Sequence, residues 1–176
     1  SIPINRLGCI PENPPALPAA IESIREADLI VLGPGSLFTS LLPNFLVPEI
    51  VEALLKNNSP KIYISNLMTQ PGETDGLDVF QHIKSIERQL LNFGVNTRIF
   101  NSILSQGEFE RSSLIDYYRS RGAEPVICNK GRLISDGYYV LQAPLYSKKI
   151  TPTLRHDSRR LARAVILMYR KLKKSS

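Results

Sequence analysis

Three short segments of this 176-residue chain hold residue types suited to an oxygen-rich, charged small molecule. The first is Gly33-Pro34-Gly35-Ser36-Leu37-Phe38-Thr39-Ser40. Gly33 and Gly35 let backbone approach a ligand closely, and the hydroxyls of Ser36, Thr39 and Ser40 suit phosphate or sugar oxygens at a helix start. No Lys follows the glycines, so this is not a Walker A loop, and Phe38 stands at the third glycine position of a GxGxxG pattern. A plain strand-to-helix turn accounts for the segment equally well. The second segment runs from Asn66 to Gly76 and carries Asn66, Thr69, Gln70, Glu73, Thr74 and Asp75. It is longer than the usual two to six residues of such connections, which favours binding over mere linkage. Glu73, Asp75 and Asp78 offer carboxylates to a water-bridged Mg²⁺, but without EF-hand spacing; helix capping by Asp75 is the simpler account, and no protein-held metal is assigned. The third is Leu154-Arg155-His156-Asp157, in which Arg155 presents a planar fork of donors for phosphate and His156 can move a proton near neutral pH. Asp157 either orients His156 or caps the following helix, with His156 then a packing residue and Arg155 solvated. His82 reads as a helix-boundary residue rather than a ligand. No nucleophile elbow or Ser-His-Asp order is present, so the catalytic residues are unknown.

These segments need elements to hold them. The apolar runs Asp28–Gly33 and Lys61–Asn66 read as strands buried on both faces, and each delivers one of the first two segments from its carboxyl end. In open parallel sheets that is where ligands sit. Further strands are expected over 2–10, 97–101, 126–129 and 138–141. Helices are expected after Asn13-Pro14-Pro15, with Leu17, Ala20, Ile21 and Ile24 on one face, and over about 47–56. Val79, Ile83, Ile86, Leu90 and Leu91 have helical spacing, a short helix covers 114–118, and the last helix spans about 158–173. The alternation of strand and helix implies right-handed crossovers. The expected fold is therefore α/β: a mostly parallel Rossmann-like sheet with helices on both faces, forming one domain over residues 1–176.

Composition agrees, with 43% hydrophobic and 22% charged residues, as in an ordinary globular domain. The two cysteines, Cys9 and Cys128, lack metal or redox spacing, which favours a reducing compartment. No apolar run reaches the roughly 18 residues of a membrane span, and no leader pattern is present. The chain opens on Ser1 in sequence that reads like the middle of a protein. Its net charge of +6 is unevenly placed. Arg155, Arg159, Arg160, Arg163, Arg170, Lys171, Lys173 and Lys174 face only Asp157 within 155–174, and the remainder is close to neutral. A spread nucleic-acid surface is not expected, although a local basic face remains.

The Gly33–Asn44 segment, the Asn66–Gly76 block and Arg155-His156-Asp157 together closely resemble the bacterial gluconeogenesis factor family, related in fold to 2-phospho-L-lactate transferase. The likeness runs from about Ala27 to Leu161. The family's opening Gly-Gly-Gly-Thr-Gly loop has no counterpart, so the chain resembles the C-terminal part of a longer protein. The resemblance implies a cytoplasmic regulator of carbon metabolism and cell shape that binds a nucleotide sugar of the UDP-N-acetylglucosamine type and has no established reaction. It places Gly33, Gly35, Ser36 and Thr39 at the diphosphate and Asn66, Thr69 and Gln70 on the facing wall. Arg155, with His156 beside it, would meet the nucleotide or a phosphate. The related transferase implies an alternative, Mg²⁺-dependent transfer from a nucleotide-diphosphate donor. No membrane span or nucleic acid is expected among the partners, and a homo-oligomer is a further expectation.

Overall fold

A computed structural model of the chain describes residues 4, 7–110, 113–147 and 153–175. Its centre is a parallel sheet of β1 (Ile30–Leu32), β2 (Lys61–Ile64), β3 (Ser102–Gln106) and β4 (Tyr139–Ala143), ordered β1-β2-β3-β4. The register sets Ile30 beside Lys61, Ile62 beside Ser102 and Leu104 beside Leu141. Among the described residues six α-helices connect the strands or flank them: α1 (Pro18–Glu26), α2 (Pro48–Lys56), α3 (Val79–Leu91), α4 (Ser113–Arg119), α5 (Lys130–Ser135) and α6 (Ser158–Ser175).

The alternation of side chains along a strand divides the core in two. Tyr63 and Ile103 point into a cluster with Leu37, Phe45, Val51, Ile83 and Ile86, beneath α2 and α3. Ile62, Ile64 and Leu104 point the other way, into Ile115 of α4 and Ala164 and Met168 of α6. Helices thus cover both faces, as the continuous apolar strands require. The α3 start follows from local chemistry. The Asp78 carboxylate accepts the Gln81 amide at 2.7 Å while the Gln81 side chain accepts the Asp78 amide at 2.8 Å, a reciprocal cap.

Several expected elements differ. The third strand begins at Ser102 rather than Thr97, because Phe100 turns under the sheet to stack on Tyr63 at 5.3 Å and only 102–106 are buried on both faces. Residues 126–129 form no strand. Pro125 makes a single antiparallel bridge to Met68, and Asn129 then caps the unanticipated α5 by accepting the Arg132 amide at 3.0 Å. Described residues 4 and 7–10 lie outside strands, and α1 begins at Pro18. β1 is shorter than the 28–33 run and not buried on both faces; Val31 is 42% exposed, since β1 pairs only with β2 among the described residues.

Gly33 ends β1 with φ +86°, and a Cβ there would lie 2.9 Å from the Ile64 carbonyl oxygen. Both conditions demand glycine. At Gly35 a Cβ would meet only the Ser40 side chain, its Cβ at 3.2 Å and its Oγ at 3.8 Å. Gly33→Ala is therefore expected to cost about 2 kcal/mol and lower Tm by roughly 5 °C, against under about 1 kcal/mol for Gly35→Ala. Equal losses in thermal unfolding would contradict this difference.

Candidate functional site

The first two segments converge at the carboxyl ends of β1 and β2. After Gly33 the backbone enters a turn of π-helix over Leu37–Leu41, whose Leu37 and Phe38 are buried and anchor it to the core. The Ser36 hydroxyl has two roles. Its oxygen accepts the Thr39 amide at 3.3 Å, and its O–H donates to Glu73 Oε2 at 2.8 Å. That second bond ties the glycine loop to the 66–76 loop. The amides of Gly35 and Ser36 make no hydrogen bond among the described residues, leaving two backbone donors beside this link. Thr39 and Ser40 are exposed on the outer side of the turn.

The 66–76 loop is shaped by its own polar groups. Thr69 is buried, its amide donating to the Glu124 carbonyl at 2.7 Å and its Oγ1 accepting the Glu124 amide at 2.8 Å. Its hydroxyl therefore docks the loop onto the segment before α5. Thr74, fully buried, accepts the Gln70 amide at 2.8 Å, and Asp75 accepts the Gly72 amide at 2.7 Å. Asp75 thus closes a turn, and the helix-capping role expected of it belongs to Asp78. Asn66 is half-buried at the end of β2. Gln70 keeps its Oε1 buried with no hydrogen-bond partner among the described residues.

His156 joins this edge from the far end of the chain. It forms an antiparallel bridge with Tyr146, and its ring lies near the Ser65 backbone, adjoining Asn66. Burial pushes its pKa below the ordinary value, and the nearby Ser65 backbone opposes the shift only in part. Its Nε2 is buried and unpartnered among the described residues. Asp157 does not orient it. Its Oδ1 accepts the Arg160 amide at 3.0 Å and the Arg159 amide at 3.1 Å, capping α6, and these bonds hold its pKa low. Arg155 is exposed on the rim.

Ser36, Glu73, Asn66 and His156 thus gather around the ends of β1 and β2, whereas Thr69 is spent on loop docking and Arg155 stands outside. The buried Ser65–Ser105 hydroxyl pair, 3.0 Å apart, lies beneath this edge and was not anticipated; the polar Ser105-Gln106 at the end of an apolar strand is its signal. Gln106 spends its side chain on the Leu145 amide at 2.7 Å and the Glu108 carbonyl at 3.1 Å. Among the described residues no three His, Cys, Asp or Glu side chains assemble as a metal-holding group. Chemically, the edge offers free amides for an anion and two buried polar atoms without partners among the described residues, Gln70 Oε1 and His156 Nε2.

Comparison with known proteins follows the same segments. Residues 1–146 match the 2-phospho-L-lactate transferase CofD family. The gluconeogenesis factor of Bacillus subtilis is 37% identical over 163 residues, covering 93% of this chain and 50% of its own length. That of Halalkalibacterium halodurans is 38% identical over 170 residues, covering 93% and 49%. A crystal structure of a UPF0052 family member from Bacillus halodurans superposes with a TM-score of 0.83 at 36% identity, covering 93% of this chain and 50% of that one. The chain spans at most about half the length of these relatives.

Fully buried His82 and half-buried His156 make stability depend on pH. His82, fully buried in α3 with Nδ1 2.8 Å from the Asp78 carbonyl oxygen, is also pushed down by burial. For both, the unfolded imidazole binds protons at higher pH than the folded one. Stability is therefore fully present above the ordinary value near 6.5 and falls as pH drops toward the folded pKa values. Thermal unfolding is expected to show Tm falling between about pH 7.5 and 5, with a shallower slope in His82→Gln. An unchanged slope would remove His82 from this account.

Proposed function

The chain belongs to the 2-phospho-L-lactate transferase CofD family, and from that premise we propose that it forms the sheet-edge half of a nucleotide-sugar site in a gluconeogenesis factor. On this reading the protein is a cytoplasmic regulator of carbon metabolism and cell shape. Its ligand is of the UDP-N-acetylglucosamine type, and binding rather than turnover is its task. The observation that carries the reading is the 2.8 Å bond from Ser36 to Glu73, which joins the two ligand-facing loops at the carboxyl ends of β1 and β2.

The chemistry of the edge supports a ligand that is anionic at one end and rich in donors at the other. The Gly35 and Ser36 amides suit diphosphate oxygens, and Gly33 permits the turn that presents them. Gln70 Oε1 and His156 Nε2, costly to leave buried and unpaired, suit the hydroxyl and amide groups of a sugar. Arg155 on the rim would add a charge-assisted contact to the nucleotide or a phosphate.

Transfer from a nucleotide-diphosphate donor is the second reading, and the position of Glu73 against the glycine loop favours it. A protein-held Mg²⁺ does not fit the residues present. Glu73, Asp75 and Asp78 are engaged by Ser36, Gly72 and Gln81 respectively, rather than turned toward a common point. No step through a metal is derived.

The test is a thermal-shift titration with UDP-N-acetylglucosamine, using GDP and ADP-ribose as controls. At a ligand concentration about 100 times Kd, stabilisation of about 2.7 kcal/mol is expected, a shift on the order of 5 to 10 °C. Ser36→Ala should weaken binding by severing the loops, and Arg155→Ala should weaken it with Tm unchanged. A shift no larger than that from the controls overturns the reading. Wild-type affinity in Arg155→Ala removes that residue from the site.

A further inference from the structure

Several cations outside the last helix have structural work. Arg98 and Lys84 share Asp136 at 3.1 Å each, and Arg98 also reaches Glu87 at 3.5 Å. Lys61 donates to the Asn57 and Ser59 carbonyls past the end of α2. Helix α6 is the exception. Lys173 reaches Asp28 at 3.8 Å, but Arg163, Arg170 and Lys174 have no acidic partner among the described residues, and Arg159 feels only the capping Asp157.

Their placement is regular. With about 100° between successive residues, Arg159, Arg163, Arg170 and Lys174 fall within an arc of about 60° along roughly 22 Å of helix. Ile166 and Leu167 lie midway along this stripe, one on each flank, 49% and 50% exposed. The opposite face, with Ala164 and Met168, is buried against the sheet. Core packing therefore explains the inner stripe and leaves the outer one unexplained. Because the rest of the chain is nearly neutral, the charge is concentrated on one side and would orient the molecule in an external field.

We propose that the outer face of α6 docks flat on an anionic lipid surface, with the four cations among the headgroups and Ile166 and Leu167 at the acyl boundary. Charge complementarity calls for an anionic partner, and the aliphatic pair selects lipid. Phosphates of a nucleic acid would satisfy the cations while leaving two aliphatic side chains against charged oxygens, whereas a bilayer surface offers both environments at adjacent depths. No helix in the described residues is long and apolar enough to cross a membrane by itself; the contact argued here lies in the surface plane. It is independent of the nucleotide-sugar site at the sheet edge.

The experiment is co-sedimentation of the chain with vesicles of phosphatidylcholine containing one-quarter phosphatidylserine, with pure phosphatidylcholine vesicles and a DNA duplex as comparators. Binding to the anionic vesicles alone is expected, and it should weaken as salt rises. Arg163→Gln with Arg170→Gln should weaken it about thirtyfold. Ile166→Ser with Leu167→Ser should also weaken it, at unchanged net charge and with the slope against salt retained. Both pairs lie on the exposed face, so circular dichroism melts should match the wild type. Absence of binding to anionic vesicles overturns the proposal, as does wild-type binding by either double variant. Equal or tighter binding to the duplex, insensitive to the aliphatic pair, also overturns it and reassigns the face to nucleic acid.

Discussion

Burial of β2 and β3 on both faces is the constraint from which the remaining architecture follows. Ile62 and Ile64 must be covered on one side and Tyr63 and Ile103 on the other, so helices are required above and below. Parallel neighbours then need crossover connections, and each crossover returns the chain to the same end of the sheet. The loops after β1 and β2 are consequently brought to one edge whatever their own sequence. Packing of apolar side chains several residues away thus decides where the polar ones meet.

At that edge the polar residues divide between holding the loops and facing outward. Thr69, Thr74, Asp75 and Asp157 satisfy backbone amides that would otherwise be left unpaired. Ser36 and Glu73 join one loop to the other. What remains, the Gly35 and Ser36 amides with Gln70 Oε1 and His156 Nε2, is a set of unspent groups in a framework already fixed by others. The side chains that shape this edge are therefore not the groups it leaves unpaired.

Helix α6 repeats the division on a larger scale. Its inner stripe closes one face of the sheet through Met168 and Ala164, while its first turn, capped by Asp157, follows directly on His156 beside the sheet edge. One element thus supports the sheet edge and carries the concentrated positive charge. These two roles occupy different faces of the helix and do not compete for the same side chains.

Elements with a strong, unbroken period were legible in the sequence. The expected 61–66 strand contains β2, the apolar spacing from Val79 to Leu91 matches α3, and the last helix begins at Ser158 as expected. These signals are local, because a helix or a doubly buried strand imposes its repeat on neighbouring residues. The displaced third strand, the α5 turn and the exposed side of β1 depend on which strand lies alongside, which no local period records. The same holds for the polar residues. The hydroxyl of Ser36 finds Glu73 37 positions away, and that of Thr69 finds the Glu124 amide 55 positions away. Sequence alone determined the α/β alternation, the residue types available for binding and the charge on α6. Tertiary structure decided which of those residues are spent on the backbone and which remain free, because hydrogen-bond partners are set by proximity in space.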